Sequence, residues 1–163
     1  MVRLLRRKRV ALPLGLVAAL VVAGVAFAYF TSTGTGTGTA AVGSATTWTV
    51  TPAAATGGPL YPGSGSQTIS YTVTNPSTGH QALTGTTAVV ATSGLNVTHA
   101  GVAVPGCLAS WFTAVNTAPA SLPQDLAAGG TSTAGSVVVT MTDAAVAQNA
   151  CAGISPDITI SAS

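Results

Sequence analysis

Beyond residue 45 the chain alternates apolar and polar positions in short runs, and turn-forming residues separate the runs. The clearest is Gln67 to Thr74 (QTISYTVT), where Ile69, Tyr71 and Val73 point one way and Thr68, Ser70, Thr72 and Thr74 the other. A period of two is the signature of a strand with one face buried. Asn75-Pro76 ends this run, because proline offers no ladder donor and restricts the residue before it. Ser136 to Thr142 repeats the pattern with Val137, Val139 and Met141, and Thr46 to Thr51 puts Trp48 and Val50 on one face. Thr86 to Thr92, Asn96 to Val104, Trp111 to Val115 and Ile158 to Ser161 complete a set of seven. Short strands divided by Gly, Pro, Asn and Ser predict an all-β chain folded as an antiparallel β-sandwich, immunoglobulin-like or jelly-roll, over residues 46–163. Asp143 to Cys151 (DAAVAQNAC) is the one predicted helical turn, with Asp143 as its N-cap.

The first thirty residues follow a different pattern. A basic stretch from Arg3 to Arg9 precedes an uncharged apolar run, Val10 to Phe30, of 21 residues. That length suffices to cross a bilayer core of about 30 Å as a helix, and the basic flank orients everything after Phe30 outward. Ala26-Phe27-Ala28 is a small-x-small triplet suited to signal peptidase, which would leave Tyr29 as the mature N-terminus. The expected organisation is a signal peptide at 1–28, a flexible Thr/Gly-rich arm at 29–45 and the strand domain at 46–163. The rival is an uncleaved anchor that holds the domain on the membrane by residues 10–30.

Charge narrows the partners. All five basic residues lie within the first nine positions; after Arg9 there is no Lys, Arg or Glu, and Asp125, Asp143 and Asp157 are the only charged side chains. Neutralising phosphates requires Lys or Arg, so nucleic acid is not an expected partner. The sequence contains 26 Thr and 14 Ser, none of them before Tyr29, so the polarity of the exported part rests on hydroxyl groups. Threonine's branched Cβ suits a pleated surface that is half wet.

Cys107 and Cys151 are the two cysteines. In an exported chain such a pair reads as a disulfide, and the chain-entropy estimate for a loop of this size is roughly 4 kcal/mol. A metal-ligand pair is the alternative, but neither histidine nor an acidic cluster lies near enough in sequence to complete a site. Catalysis has few groups to draw on. The histidines are His80, in a polar turn, and His99, at the end of a strand run; no Gly-x-Ser-x-Gly elbow and no His-Glu-x-x-His motif occurs. Asp143 and Asp157 lack the dense oxygen spacing of a calcium loop, and Asn96-Val97-Thr98 is a sequon that chance readily supplies. No enzyme activity, cofactor or metal is expected.

The junction Ala26-Phe27-Ala28-Tyr29-Phe30-Thr31-Ser32, with the Thr/Gly stretch after it, resembles the leader and mature start of the camelysin/TasA group of bacterial surface and biofilm-matrix proteins. Leu60-Tyr61-Pro62-Gly63, the strand through Val73, then Asn75 and Gly79 resemble a further segment of that group, while Met141-Thr142-Asp143 and Gln148 to Gly153 are similar to small secreted actinobacterial proteins. The resemblance implies a β-sandwich at a Gram-positive cell surface that assembles with itself into fibres. A physical route to assembly exists independently: lysine commonly guards sheet edges, none is present here, and the arm Tyr29 to Ala45 could pair with a neighbour's edge. The expected function is therefore an exported, non-enzymatic structural protein. The alternative is a monomeric module that binds cell-wall glycan or a protein partner, with Trp48, Tyr61 and Trp111 as contact aromatics.

Overall fold

The structure, a computed structural model, describes residues 40–163; the leader, its cleavage residues Ala26, Ala28 and Tyr29, and most of the Thr/Gly arm lie outside the described residues. The compact unit Val42–Ser163 is all-β, and every strand pairing in it is antiparallel. Its largest sheet is organised on β3 (Gln67–Thr74) and β11 (Gly135–Met141), the two runs whose alternation is cleanest. Tyr71, Val73, Val137, Val139 and Met141 are buried, while the residues between them face outward or lie half-buried. β1 (Thr49–Pro52) and then β2 (Thr56–Gly57) pair along one side of β3, and β9 (Phe112–Thr117) pairs with β11, giving the order β1-β3-β11-β9. In register, Gly135 faces Tyr71 and Met141 faces Phe112.

Three smaller sheets complete the unit. β5 (Thr86–Val90) pairs with β12 (Ile158–Ala162), β4 (Gln81–Leu83) with β10 (Gln124–Leu126), and β6 (Thr92–Ser93), β7 (Asn96–His99) and β8 (Val102–Leu108) form a meander. The main core joins Tyr71, Val73, Val137 and Val139 to Leu83 and Leu126, and Ala88, Ile158, Ile160 and Ala162 close over it from β5 and β12. A second cluster gathers Val97, Cys107, Phe112, Met141 and Cys151; half-buried Leu60 packs against both.

Two polar groups fix how these layers meet. The Tyr71 hydroxyl donates to Asn116 Oδ1 at 2.8 Å and lies 2.6 Å from Thr86 Oγ1, while Asn116 Nδ2 donates to the Thr86 carbonyl at 2.8 Å, so β3, β9 and β5 share one network. The ring reaches it because Gly135 stands opposite; a Cβ there would clash with Cζ and the hydroxyl oxygen of Tyr71. Asn75, fully buried, donates from Nδ2 to Leu126 O and Gly79 O, each at 2.8 Å, and accepts at Oδ1 from Ser77 N–H and Oγ–H. Asn75-Pro76 thus does more than end a strand: it ties β3 to β10.

Among the described residues there are twelve strands where alternation predicts seven. β2, β4 and β10 have three residues or fewer, too short to show a period. The run Asn96 to Val104 divides at Ala100-Gly101, where positive φ at both residues (50° and 77°) makes a two-residue hairpin turn that returns the chain as β8. Trp111 closes a 3₁₀ turn (Ala109–Trp111) and does not begin the strand, which starts at Phe112. The helical turn predicted over Asp143 to Cys151 shrinks to a 3₁₀ turn at Asn149–Cys151 with no side-chain cap. Asp143 Oδ1 does accept from Ala145 N–H at 3.0 Å, as an N-cap would. However, Ala145 has φ +55°, which diverts the chain out of helical geometry, and Gln148 replaces helical bonds by donating to Thr142 O and accepting from Ala144 N–H.

Candidate functional site

Cys107, in β8, and Cys151, in the 3₁₀ turn, are disulfide-bonded, with Cα atoms 5.0 Å apart. The bond holds the irregular segment 143–156 against the second core cluster, where both cysteines are buried. That segment forms one wall of an open cleft of about 730 Å3. The other wall is the turn Pro59 to Gly63, and the floor is Phe112 and Met141 at the paired ends of β9 and β11.

The Pro59 to Gly63 turn is built for rigidity. Tyr61 and Ser64 exchange both backbone bonds (2.9 and 3.0 Å) around Pro62-Gly63, with proline setting one central φ and Gly63 supplying the positive φ of 73° that follows. Gly63 N–H donates to Met141 O at 3.0 Å, which fastens the turn to β11. Leu60 packs inward, while Tyr61 is left 58% exposed. An aromatic ring held out by a fixed backbone loses little freedom on contact with a ligand.

The 143–156 segment, whose Asp143 lies against Gly63 of the turn, offers polar groups. Asp143 uses Oδ1 on Ala145, while its Oδ2, the Asn149 side-chain amide and the Tyr61 hydroxyl make no hydrogen bond among the described residues. Gln148 also borders the cleft, but it is buried and both ends of its amide are engaged in holding the wall.

The three aromatics singled out from the sequence do not come together. Trp48 is half-buried against the main core and Trp111 against the second cluster; Tyr61 alone of the three lines the cleft. The sequence signal for Tyr61 is its position between a leucine and Pro62-Gly63. The parts that sequence reading missed are Asp143, which β11 brings against Gly63 of the turn, and Asn149, which the disulfide-held segment brings to the same cleft as Tyr61.

The remaining titratable groups are dispersed. His80 Nδ1 lies 3.1 Å from Asp125 Oδ2, with both side chains about 70% exposed, a geometry worth little in water. His99 Nδ1 is 2.7 Å from Ser155 O. Asp157 accepts from Gly101 N–H (2.8 Å) and Ala100 N–H (3.0 Å), bracing the β7–β8 turn. The Gly101 amide does most to hold this carboxyl below the ordinary aspartate range; partial burial opposes it, and Thr98, the Ala100 amide and His99 add smaller pulls downward. No group of three His, Cys, Asp or Glu side chains is placed to hold a metal ion among the described residues. Asn96 of the sequon sits in β7, where its Oδ1 accepts from Gly106 N–H. Comparison with family models, curated proteins and solved structures finds no match to this chain.

Proposed function

We propose that this chain is an exported, non-enzymatic structural protein of the cell surface or extracellular matrix, and that its domain is a β-sandwich of the immunoglobulin-like or jelly-roll kind. The observation that carries the reading is the Cys107–Cys151 bond in a body that has no Lys, Arg or Glu. Disulfides persist in oxidising surroundings, and a domain whose polarity is almost wholly hydroxyl suits contact more than proton transfer. For the sandwich, the support is that inward residues of β3 and β11 meet those of β5 and β12 across one core. On this reading the leader is removed after Ala28, and Tyr29 to Ala45 completes the edge of a neighbour's sheet. β1, at one end of the order β1-β3-β11-β9, offers an uncharged edge directly after the arm. The test is sedimentation of the chain from Tyr29 beside a chain from Ser44: assembly by the first alone supports the arm's role, and equal assembly removes it. The exposed ring of Tyr61 favours a second reading, a monomeric module for wall glycan or a protein partner, for which saturable binding by unassembled protein is the discriminating result. An uncleaved chain acting as a membrane-held accessory protein would instead stay in the membrane fraction at full length.

A further inference from the structure

We propose that the cleft between the Pro59 to Gly63 turn and the 143–156 segment binds a short, neutral sugar chain, with Tyr61 as the stacking platform. The inference rests on the second reading above, which it narrows to one cleft and one ligand class, and is separate from the assembly reading, since a chain that never assembles can still hold a ligand here.

Four features select this ligand class. The volume, about 730 Å3, falls within the range of small-molecule sites. The Tyr61 ring is open, and its backbone is pinned at both ends, so a sugar's apolar C–H face can lie on it while the hydroxyl at the ring's tip stays free. In the same lining, Asp143 Oδ2, beside the turn, supplies an unengaged acceptor and the Asn149 amide both a donor and an acceptor, the set that sugar hydroxyl and acetamido groups pair with. Electrostatics completes the selection. Asp143 is the one charged side chain of the lining, and the described residues contain no Lys or Arg, so an anionic ligand would meet repulsion with no counter-charge. A proline-rich peptide is the less suited occupant, because such grooves are built from several aromatic ridges, and here one ring is open while Phe112, in the floor, is buried.

The disulfide enters the site through one wall. Cys151 borders the cleft, and Cys107 holds it from β8, so the spacing between Tyr61 and Asn149 depends on the bond. Reduction is therefore expected to weaken binding even where the sheets stay folded.

The test is calorimetric titration of the oxidised protein with chitotetraose and, separately, cellotetraose, with a proline-rich decapeptide as the competing class. The expected result is saturable binding of at least one tetrasaccharide. Tyr61→Ala should weaken it roughly five- to tenfold, about the worth of one aromatic contact, with an unchanged denaturant midpoint because the ring is mostly exposed. Asp143→Asn, which keeps the shape and a neutral oxygen acceptor, should weaken it by roughly two- to fivefold, the part of one hydrogen bond that the charge supplies. Absence of saturation by both sugars, binding of the peptide alone, or affinity indifferent to Tyr61→Ala would overturn the proposal. Sedimentation run on the same samples separates this outcome from that of the assembly reading.

Discussion

Replacing Asn75 by alanine should cost this domain more than any exposed polar change, and the cost can be worked from its bonds. The side chain is fully buried, and its amide serves two elements at once. Removing it leaves Ser77 N–H, in a residue less than a tenth exposed, without its acceptor, and leaves Leu126 O with only its ladder bond to Gln81 across β4. With Asn75 Oδ1 gone, the Ser77 hydroxyl turns its proton to Gly79 O, 2.7 Å away, and Ala127 O, 3.1 Å from the same amide, is at the surface where water can replace it. One newly orphaned buried donor at about 1–3 kcal/mol, and one lost bond to Leu126 O at about 1 kcal/mol, give a loss of about 2–3 kcal/mol after local relaxation. Urea unfolding with both variants measured at equal slope reads this as a shift in midpoint. Asn75→Asp sharpens the reasoning. It keeps the acceptor facing Ser77 but turns an oxygen toward the carbonyls of Leu126 and Gly79. Ionisation is then disfavoured in the folded state, so this carboxyl's pKa rises; relative to the parent, the variant should be least stable at neutral pH and recover as it is protonated on acidification. An Asn75→Ala protein within about 0.5 kcal/mol of the parent would refute the account, since that is the scale of an ordinary surface change.

Other consequences are as direct. Reducing Cys107–Cys151, or replacing both cysteines by serine, should lower stability by about 4 kcal/mol in the chain-entropy estimate, read by denaturant unfolding with and without reductant. Ala100→Asn should stabilise by about 0.5–1 kcal/mol in thermal unfolding, because asparagine tolerates the left-handed φ of 50° that alanine resists, and Asn-Gly is the preferred pair for this hairpin turn. Asp157 has a depressed folded-state pKa, so the stability it contributes is present above the unfolded aspartate value near ~3.9 and is lost as pH falls through the folded value. Unfolding followed from pH 6 downward should show that acid loss in the parent, and Asp157→Asn should flatten it.

The legible part of the fold is the part in which one residue type alternates with another over enough length. Gln67 to Thr74 and Ser136 to Thr142 predict β3 and β11 to within a residue, and Tyr71, Val73, Val137 and Val139 become the centre of the core. β4 and β10 were illegible because three residues carry no period; what makes them strands is Leu83 and Leu126 meeting under β3, a contact between distant segments. The hairpin at Ala100-Gly101 escaped because alanine does not advertise a positive φ. The cleft escaped for a related reason. Asp143 reads locally as a cap; the contact of Gly63 with the end of β11, the diversion of the chain at Ala145 and the bond from Cys151 to Cys107 bring that segment and Tyr61 to one cleft. Composition, by contrast, carried the partner argument, since a body without Lys or Arg offers phosphate no counter-charge.

The central claim, that this is an exported and disulfide-stapled scaffold, is tested most directly by the intact mass of the protein recovered from the medium or outer surface of its producing cells, taken before and after reduction. The account predicts a chain beginning at Tyr29 that gains the mass of two hydrogens on reduction. A full-length chain confined to the cytoplasm, with both thiols free to alkylate before any reductant is added, would contradict it.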